Sequence, residues 1–220
     1  MDKPAPTSES IHALLKRRFS PLAFSSEPVT ADVLRRIFEA ARWAPSSFNE
    51  QPWRFVLARR EDEESFERLL DCVIDKNREW AAAAPVLALS VARTTFAGSG
   101  QPNRHALHDV GLAVCQLTTQ ATALGVAVHQ IAGFDVEAAR AAFAVPEPFE
   151  PVAVLAIGYP GDPDALPAKL REKERAARRR MPLTDLVFAA SWDRPWTGEG
   201  DAESSDPAPE SAPGGGSASH

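Results

Sequence analysis

Residues 104–124 read as one long helix whose apolar positions do not keep to a single face. Leu107, Gly111, Leu112, Val114, Cys115, Leu117, Thr118 and Ala121 run nearly all the way round it. At 1.5 Å per residue a helix of about 20 residues spans roughly 30 Å. A helix that is apolar on most faces has to be covered on most faces. The chain must therefore wrap other elements around this segment, or use part of it to meet a second subunit. Gly125 follows where a left-handed residue closes a helix.

The other elements are readable around it. Residues 8–18 place Ile11, Leu14 and Leu15 on one helical face and end in Lys16-Arg17-Arg18. Residues 30–44 place Val33, Leu34, Ile37, Phe38 and Ala41 at helical spacing behind Thr30 as N-cap, and Pro45 ends the pattern. A charged surface helix over 61–71 turns Phe66, Leu69 and Leu70 inward, and a helix over Asp135–Phe143 has Asp135 as its cap. Trp53–Ala58, Pro85–Ala92, Val126–Ile131 and Val152–Gly158 have the length and composition of strands. A basic stretch, Lys169–Arg180, and an aromatic-tipped extension, Ser191–Trp196, follow. Helices and strands alternate around a central sheet, which on the residues alone fits α/β or α+β.

With 220 residues, 44% of them apolar, the chain is large enough for one substantial core. No run reaches the ~18 apolar residues of a membrane span, and no apolar stretch opens the N-terminus. A cytoplasmic protein is expected, with Cys72 and Cys115 as buried free thiols. The formal charge of −6 comes almost entirely from Glu199, Asp201, Glu203, Asp206 and Glu210. These stand in a Gly-, Pro- and Ser-rich stretch without apolar periodicity. Residues 1–196 are thus expected to form the domain and 197–220 a disordered acidic tail.

Several polar segments stand out. Lys16-Arg17-Arg18-Phe19-Ser20 closes the first helix, where cations also complement the helix dipole. Pro45-Ser46-Ser47-Phe48-Asn49-Glu50-Gln51 joins a helix to a strand with hydroxyls and amides on a stiff backbone. The run from Lys169 to Arg180 carries several cations, including Arg178 and Arg180, moderated by Glu172 and Glu174. Gly133, in Gln130-Ile131-Ala132-Gly133, permits close approach of a ligand to the backbone. Each has an ordinary structural explanation as a capped helix, a turn or a solvated face. Nucleic acid is not the expected partner, because the domain is near neutral and no groove-reading motif occurs. Together the segments are more specific. Arginine forks match phosphate oxygens, and Ser, Asn and Gln suit a polyhydroxy chain and a pyrimidine edge. Phosphate, ribityl chain and heteroaromatic ring describe flavin mononucleotide (FMN). No Walker loop or G-x-G-x-x-G is present.

These residues resemble the nitroreductase family of FMN-dependent oxidoreductases, from about Ile11 to Val187. The strongest signature is the run from Ala41 through Pro45-Ser46-Ser47-x-Asn49-x-Gln51-Pro52-Trp53-x-Phe55. Supporting ones are Arg18-x-Ser20, Asn77-x-x-Trp80 with Ala84-Pro85, Asp109-x-Gly111, Gly133-Phe134-Asp135, Gly158-Tyr159-Pro160 and Arg178-x-Arg180-x-Pro182-Leu183. The resemblance implies an α+β fold with a mostly antiparallel sheet, assembled as an interpenetrating homodimer with FMN at the interface. It places Arg18 and Ser20 on the phosphate and ribityl oxygens, beside Arg17 and Phe19, with Arg178 and Arg180 closing on the same phosphate. Pro45, Ser46, Ser47, Asn49 and Gln51 would reach the flavin from the other subunit. Ile131, Ala132 and Gly133 would lie near flavin N5, with Asn77 at the flavin edge.

The chain departs from the family at Leu22, where a basic residue is common, and at Ala132, where some members carry an acid. The implied activity is hydride transfer from NADH or NADPH through the flavin to a small electron-poor acceptor, nitroaromatic or quinone-like, by ping-pong kinetics. No side chain is assigned as acid or nucleophile. Reductive dehalogenation, flavin breakdown, or a non-catalytic protein that has lost FMN remain alternatives.

Overall fold

The computed structural model describes residues 3–198. Seven helices are present among them: α1 (Ala13–Arg17), α2 (Ala31–Arg42), α3 (Glu63–Asp71), α4 (Asp75–Ala81), α5 (Ala106–Ala123), α6 (Val136–Ala142) and α7 (Ala168–Arg175). Four strands, β1 (Trp53–Arg59), β2 (Val86–Arg93), β3 (Ala127–Ile131) and β4 (Phe149–Gly158), form one sheet in the order β1-β2-β4-β3. Every pairing is antiparallel. That resolves the fold class as α+β, and it leaves β3 as an edge strand.

Side chains alternate across the sheet, as a period of two requires. On β2, Leu87, Leu89 and Val91 face a core containing Phe66, Leu69 and Leu70 of α3, Trp80 of α4 and Ala139 of α6. Val86, Ala88 and Ala92 face the opposite core, with Leu34 and Ile37 of α2 and Val110, Ala113, Leu117 and Ala121 of α5. Strand β4 divides in the same way: Val154 and Ala156 face one core, Leu155 and Ile157 the other. At the bulge between Ser90 and Val91, the buried Ser90 hydroxyl donates to Ala153 O at 2.9 Å and accepts from Ala153 N at 3.1 Å. Sheet regularity lost there is replaced by a side chain.

Helix ends follow from local chemistry. Thr30 accepts from Val33 N, Asp62 from Ser65 N and Asp135 from Ala138 N, each satisfying an N–H that the helix cannot. Gly125 adopts φ +77° after α5. The first helix is shorter than its periodicity predicts: α1 starts only at Ala13, and Ile11 and Leu15 are exposed. The two cysteines also differ, for Cys72 is buried whereas Cys115 is exposed on α5. Burial pushes the Cys72 thiol above its ordinary value, with the nearby Asp135 and Asp71 adding to it.

The chain divides into two compact units, residues 1–178 and residues 179 onward. In the second, a short 3-10 turn (Leu183–Asp185) leads into a small closed loop. Trp196 N donates to Val187 O, Ala189 N donates to Arg194 O, and the Phe188 and Trp192 rings stack 5.1 Å apart. From residue 199 onward, the stretch expected as an acidic tail lies outside the described residues. Among the described residues, no helix is long and apolar enough to cross a membrane.

Candidate functional site

Two polar half-sites occupy the two ends of α5. The first is a cationic cleft of about 230 Å³ at its C-terminal end, lined by Lys3, Arg17, Arg18, Phe19, Thr122, Gly125, Val126, Ala127 and Pro160. Its lining holds three cations and no carboxylate. Arg17 Nη2 donates to the Thr122 carbonyl at 3.4 Å, which ties the end of α1 to the end of α5. Arg18 Nη1 donates to Ser20 Oγ at 3.3 Å. Arg178 reaches the same place from the far end of the unit, donating to Lys3 O at 2.9 Å and Lys16 O at 3.0 Å. The expected group of Arg17, Arg18, Phe19, Ser20 and Arg178 is therefore one locality. Arg180 lies in the second unit, where its Nη1 donates to Arg179 O at 2.7 Å.

Leu22 does not line this cleft: it is buried in the core at 3% exposure, and its N–H donates to Glu174 Oε2 at 2.8 Å. Glu174, itself buried at 5%, thus fixes the segment that follows Arg18 and Ser20. The sequence showed Glu174 only as an acid within a basic run, because its partner is a backbone group 152 residues away.

The second half-site is the loop after α2. Phe48, Asn49 and Gln51 all take positive φ, at 53°, 56° and 48°. For residues with a Cβ each such conformation costs on the order of 1–3 kcal/mol, and such strain clusters at functional sites. The loop is held in it by a dense set of bonds. Gln51 N donates to Ser46 Oγ at 3.0 Å, and Gln51 Nε2 donates to Asn49 O at 3.0 Å. Ser47 N donates to Asp109 Oδ2 at 3.0 Å. Glu50 accepts from Ala97 N at 2.8 Å, binding the loop to the short connection between β2 and α5. Asp109 is 2% exposed and stands in the first turn of α5, where the helix dipole favours a carboxylate. Its signature position was visible in the sequence; its work as the loop's anchor was not.

Asp109 and Thr122 stand 13 residues apart on α5, or roughly 20 Å along the helix. A single chain therefore does not bring Ser46, Ser47, Asn49 and Gln51 to the arginines. The N-terminal half of α5 carries an uncovered stripe, with Leu107, Gly111 and Cys115 exposed at four-residue spacing. Trp43 and Phe48 are also exposed, at 70% and 88%.

Strand β3 supplies the third component. It starts in the cationic cleft at Ala127 and ends at Ile131, about 13 Å away at the rise of a strand. Ala132 and Gly133 follow. The Gly133 carbonyl accepts from Ile74 N at 3.2 Å and from Asn77 Nδ2 at 3.4 Å. A Cβ on Gly133 would come within 2.6 Å of Asn77 Nδ2 and 2.7 Å of Ile74 Cδ1, so only glycine fits without a shift. Asn77 and Gly133 are thus neighbours. On β3, the His129 ring packs tilted against Trp80 with centroids 4.3 Å apart, and its Nδ1 lies 2.8 Å from Pro21 O. Among the described residues, no cluster of His, Cys, Asp or Glu is arranged to hold a metal ion.

Comparison with known proteins identifies the family and the fold. The family model described as the nitroreductase family matches residues 15–159. A solved structure described as an oxidoreductase containing FMN superposes with a TM-score of 0.82 at 32% identity, covering 86% of this chain and 96% of that one. A Streptomyces coelicolor protein provisionally named NADH dehydrogenase/NAD(P)H nitroreductase is 30% identical over 161 residues, 64% of this chain and 80% of its own. An uncharacterised Mycolicibacterium smegmatis protein is 33% identical over 152 residues, 64% of this chain and 99% of its own. A nitroreductase-like protein of Exiguobacterium sibiricum, solved in complex with FMN, shares the fold at a TM-score of 0.66 and 20% identity, covering 84% of this chain and 99% of that one. The chain belongs to the nitroreductase family.

Proposed function

We propose that this chain is an FMN-dependent oxidoreductase. It takes electrons from NADH or NADPH and delivers them to a small electron-poor acceptor, nitroaromatic or quinone-like, by ping-pong kinetics. The observation that carries the reading is the placement of two complementary half-sites at opposite ends of α5, with an uncovered stripe on its N-terminal half. Two copies packed head-to-tail across that stripe would bring the loop of one to the cationic cleft of the other.

The residues present fit FMN. The cleft is cationic and free of lining carboxylates, which suits a phosphate dianion. Arg18 and Ser20 would hold phosphate and ribityl oxygens, with Arg17 and Arg178 beside them and Phe19 at the cleft wall. Asn77 packs closely on Gly133, and the flavin ring would lie beside them, with Ile131 and Ala132 around it. Pro45, Ser46, Ser47, Asn49 and Gln51 of the second copy would present hydroxyls and amides to the same flavin. When bound, FMN supplies the hydride-accepting and hydride-donating N5, as cofactors generally carry the hard chemistry. The chain's own task is to orient the ring, to offer the Gly133 N–H at N5, and to place donors where charge gathers on the pyrimidine side.

Purified protein, or apoprotein given FMN, should be yellow and should bleach with NADH or NADPH under anaerobic conditions. Protein that takes up no FMN sinks the reading. Arg18→Ala should weaken FMN binding about ten- to a hundredfold, as expected for a charge-assisted bond of roughly 1.5–3 kcal/mol. Arg175→Ala should matter little, because Arg175 is committed to Asp164 at 2.8 and 2.9 Å. Equal effects of the two substitutions would displace the phosphate from the cleft.

A further inference from the structure

Beside Arg17 and Arg18 the cleft holds a third cation. Lys3 lines the same cleft as Arg17 and Arg18, although it stands outside the segment that matches the family. We propose that Lys3 is a phosphate-binding residue for the cofactor.

Two observations converge on this. Leu22 is buried in the core with its N–H held by Glu174, so it adds nothing to the cleft lining. Lys3, in contrast, is pinned at the cleft by three separate ties. Its Nζ donates to the Glu174 carbonyl, its own carbonyl accepts from Arg178 at 2.9 Å, and two residues on, Ala5 N donates to Lys16 O at 2.8 Å. Glu174 thus works from both sides: its carboxylate holds Leu22 inward and its carbonyl holds Lys3 at the cleft. An ammonium has three donors, and the Glu174 carbonyl uses one. Three cations around one cleft of about 230 Å³ repel each other unless an anion sits among them. The N-terminal strap is in this way part of the cofactor site, with Arg178 joining it to the end of α1.

The inference rests on the FMN reading above, so its test compares two flavins. Apoprotein is titrated with FMN and with riboflavin, which lacks the phosphate, following flavin fluorescence. Lys3→Gln should raise the FMN Kd about tenfold, leave the riboflavin Kd unchanged, and flatten the dependence of FMN affinity on salt. Lys3→Arg should keep most of the affinity. Lys169→Gln, on the exposed start of α7, is the control and should change neither. If Lys3→Gln behaves like Lys169→Gln, or weakens both flavins equally, Lys3 does not hold the phosphate. If the wild-type protein binds neither flavin, the FMN reading itself fails and this inference with it.

Discussion

At the scale of single residues, His129 shows how burial and neighbours set the behaviour of a group beside the site. Burial lowers its pKa below the ordinary 6.5, the Pro21 carbonyl pulls the other way, and Lys173 and Arg18 add like charge. The folded protein therefore takes up this proton at lower pH than the unfolded chain does. Stability from this group is full above about 6.5, falls as pH drops below it, and levels off once the folded imidazole is itself protonated. His129→Gln should remove that component. Urea midpoints of the two proteins, compared from pH 7.5 downward, should converge as the pH falls below 6.5. The extra slope in the wild type should not exceed about 1.4 kcal/mol per pH unit, the limit for one proton. Parallel curves would mean that His129 does not titrate differently on folding. Little of this was legible in the sequence, where His129 is one polar residue in an apolar strand. Arg18-x-Ser20 was legible because both partners lie two residues apart. Lys3 and Glu174 were not, because what they do depends on groups more than 150 residues away.

At the scale of elements, local chemistry and periodicity carried most of the reading. Helices α2, α3 and α6 each open on a capping residue, Thr30, Asp62 and Asp135, and α5 ends before Gly125 in a left-handed turn. Helix α4 gives no such signal: it has seven residues, no side-chain cap, and only Trp80 and Ala81 buried. Helix α1 shows the opposite failure, a real apolar periodicity at Ile11 and Leu15 that the single chain leaves exposed. Helix α5 links the levels, since its first turn holds the strained loop through Asp109. Asp109→Ala leaves the Ser47 N–H without its acceptor, and should cost about 1–3 kcal/mol. Released from its anchor, the loop should also lose its positive-φ conformation, and FMN affinity should fall with it. Asp109→Asn keeps an oxygen acceptor and should lose clearly less on both counts. Urea unfolding and flavin titration of the two variants check this. Equal destabilisation with unchanged FMN affinity would separate the loop from the cofactor site.

At the scale of the whole molecule, the informative fact is a separation. The loop and the cationic cleft are each well formed, yet α5 holds them about 20 Å apart, and a stripe on the N-terminal half of the helix is apolar and uncovered. The sequence pointed the same way through the apolar circumference of 104–124, but could not say which stripe stays open. The structure identifies it by Leu107, Gly111 and Cys115. Gly111 gives the sharpest test, because a Cβ added there meets nothing within 4 Å in the single chain. Gly111→Arg should therefore be tolerated by the single chain, and helix propensity should favour it by somewhat under about 1 kcal/mol. In a dimer packed across the stripe, the same arginine would be a buried charge without a partner, which association cannot tolerate. The wild type should sediment as a dimer and the variant as a monomer; the variant should keep its far-UV spectrum and lose FMN affinity by about a hundredfold, since each flavin would keep only the cleft half of its site. A variant that remains dimeric with full FMN affinity would move the interface off α5. A monomer that binds FMN as tightly as the wild type would show that one copy completes the site alone.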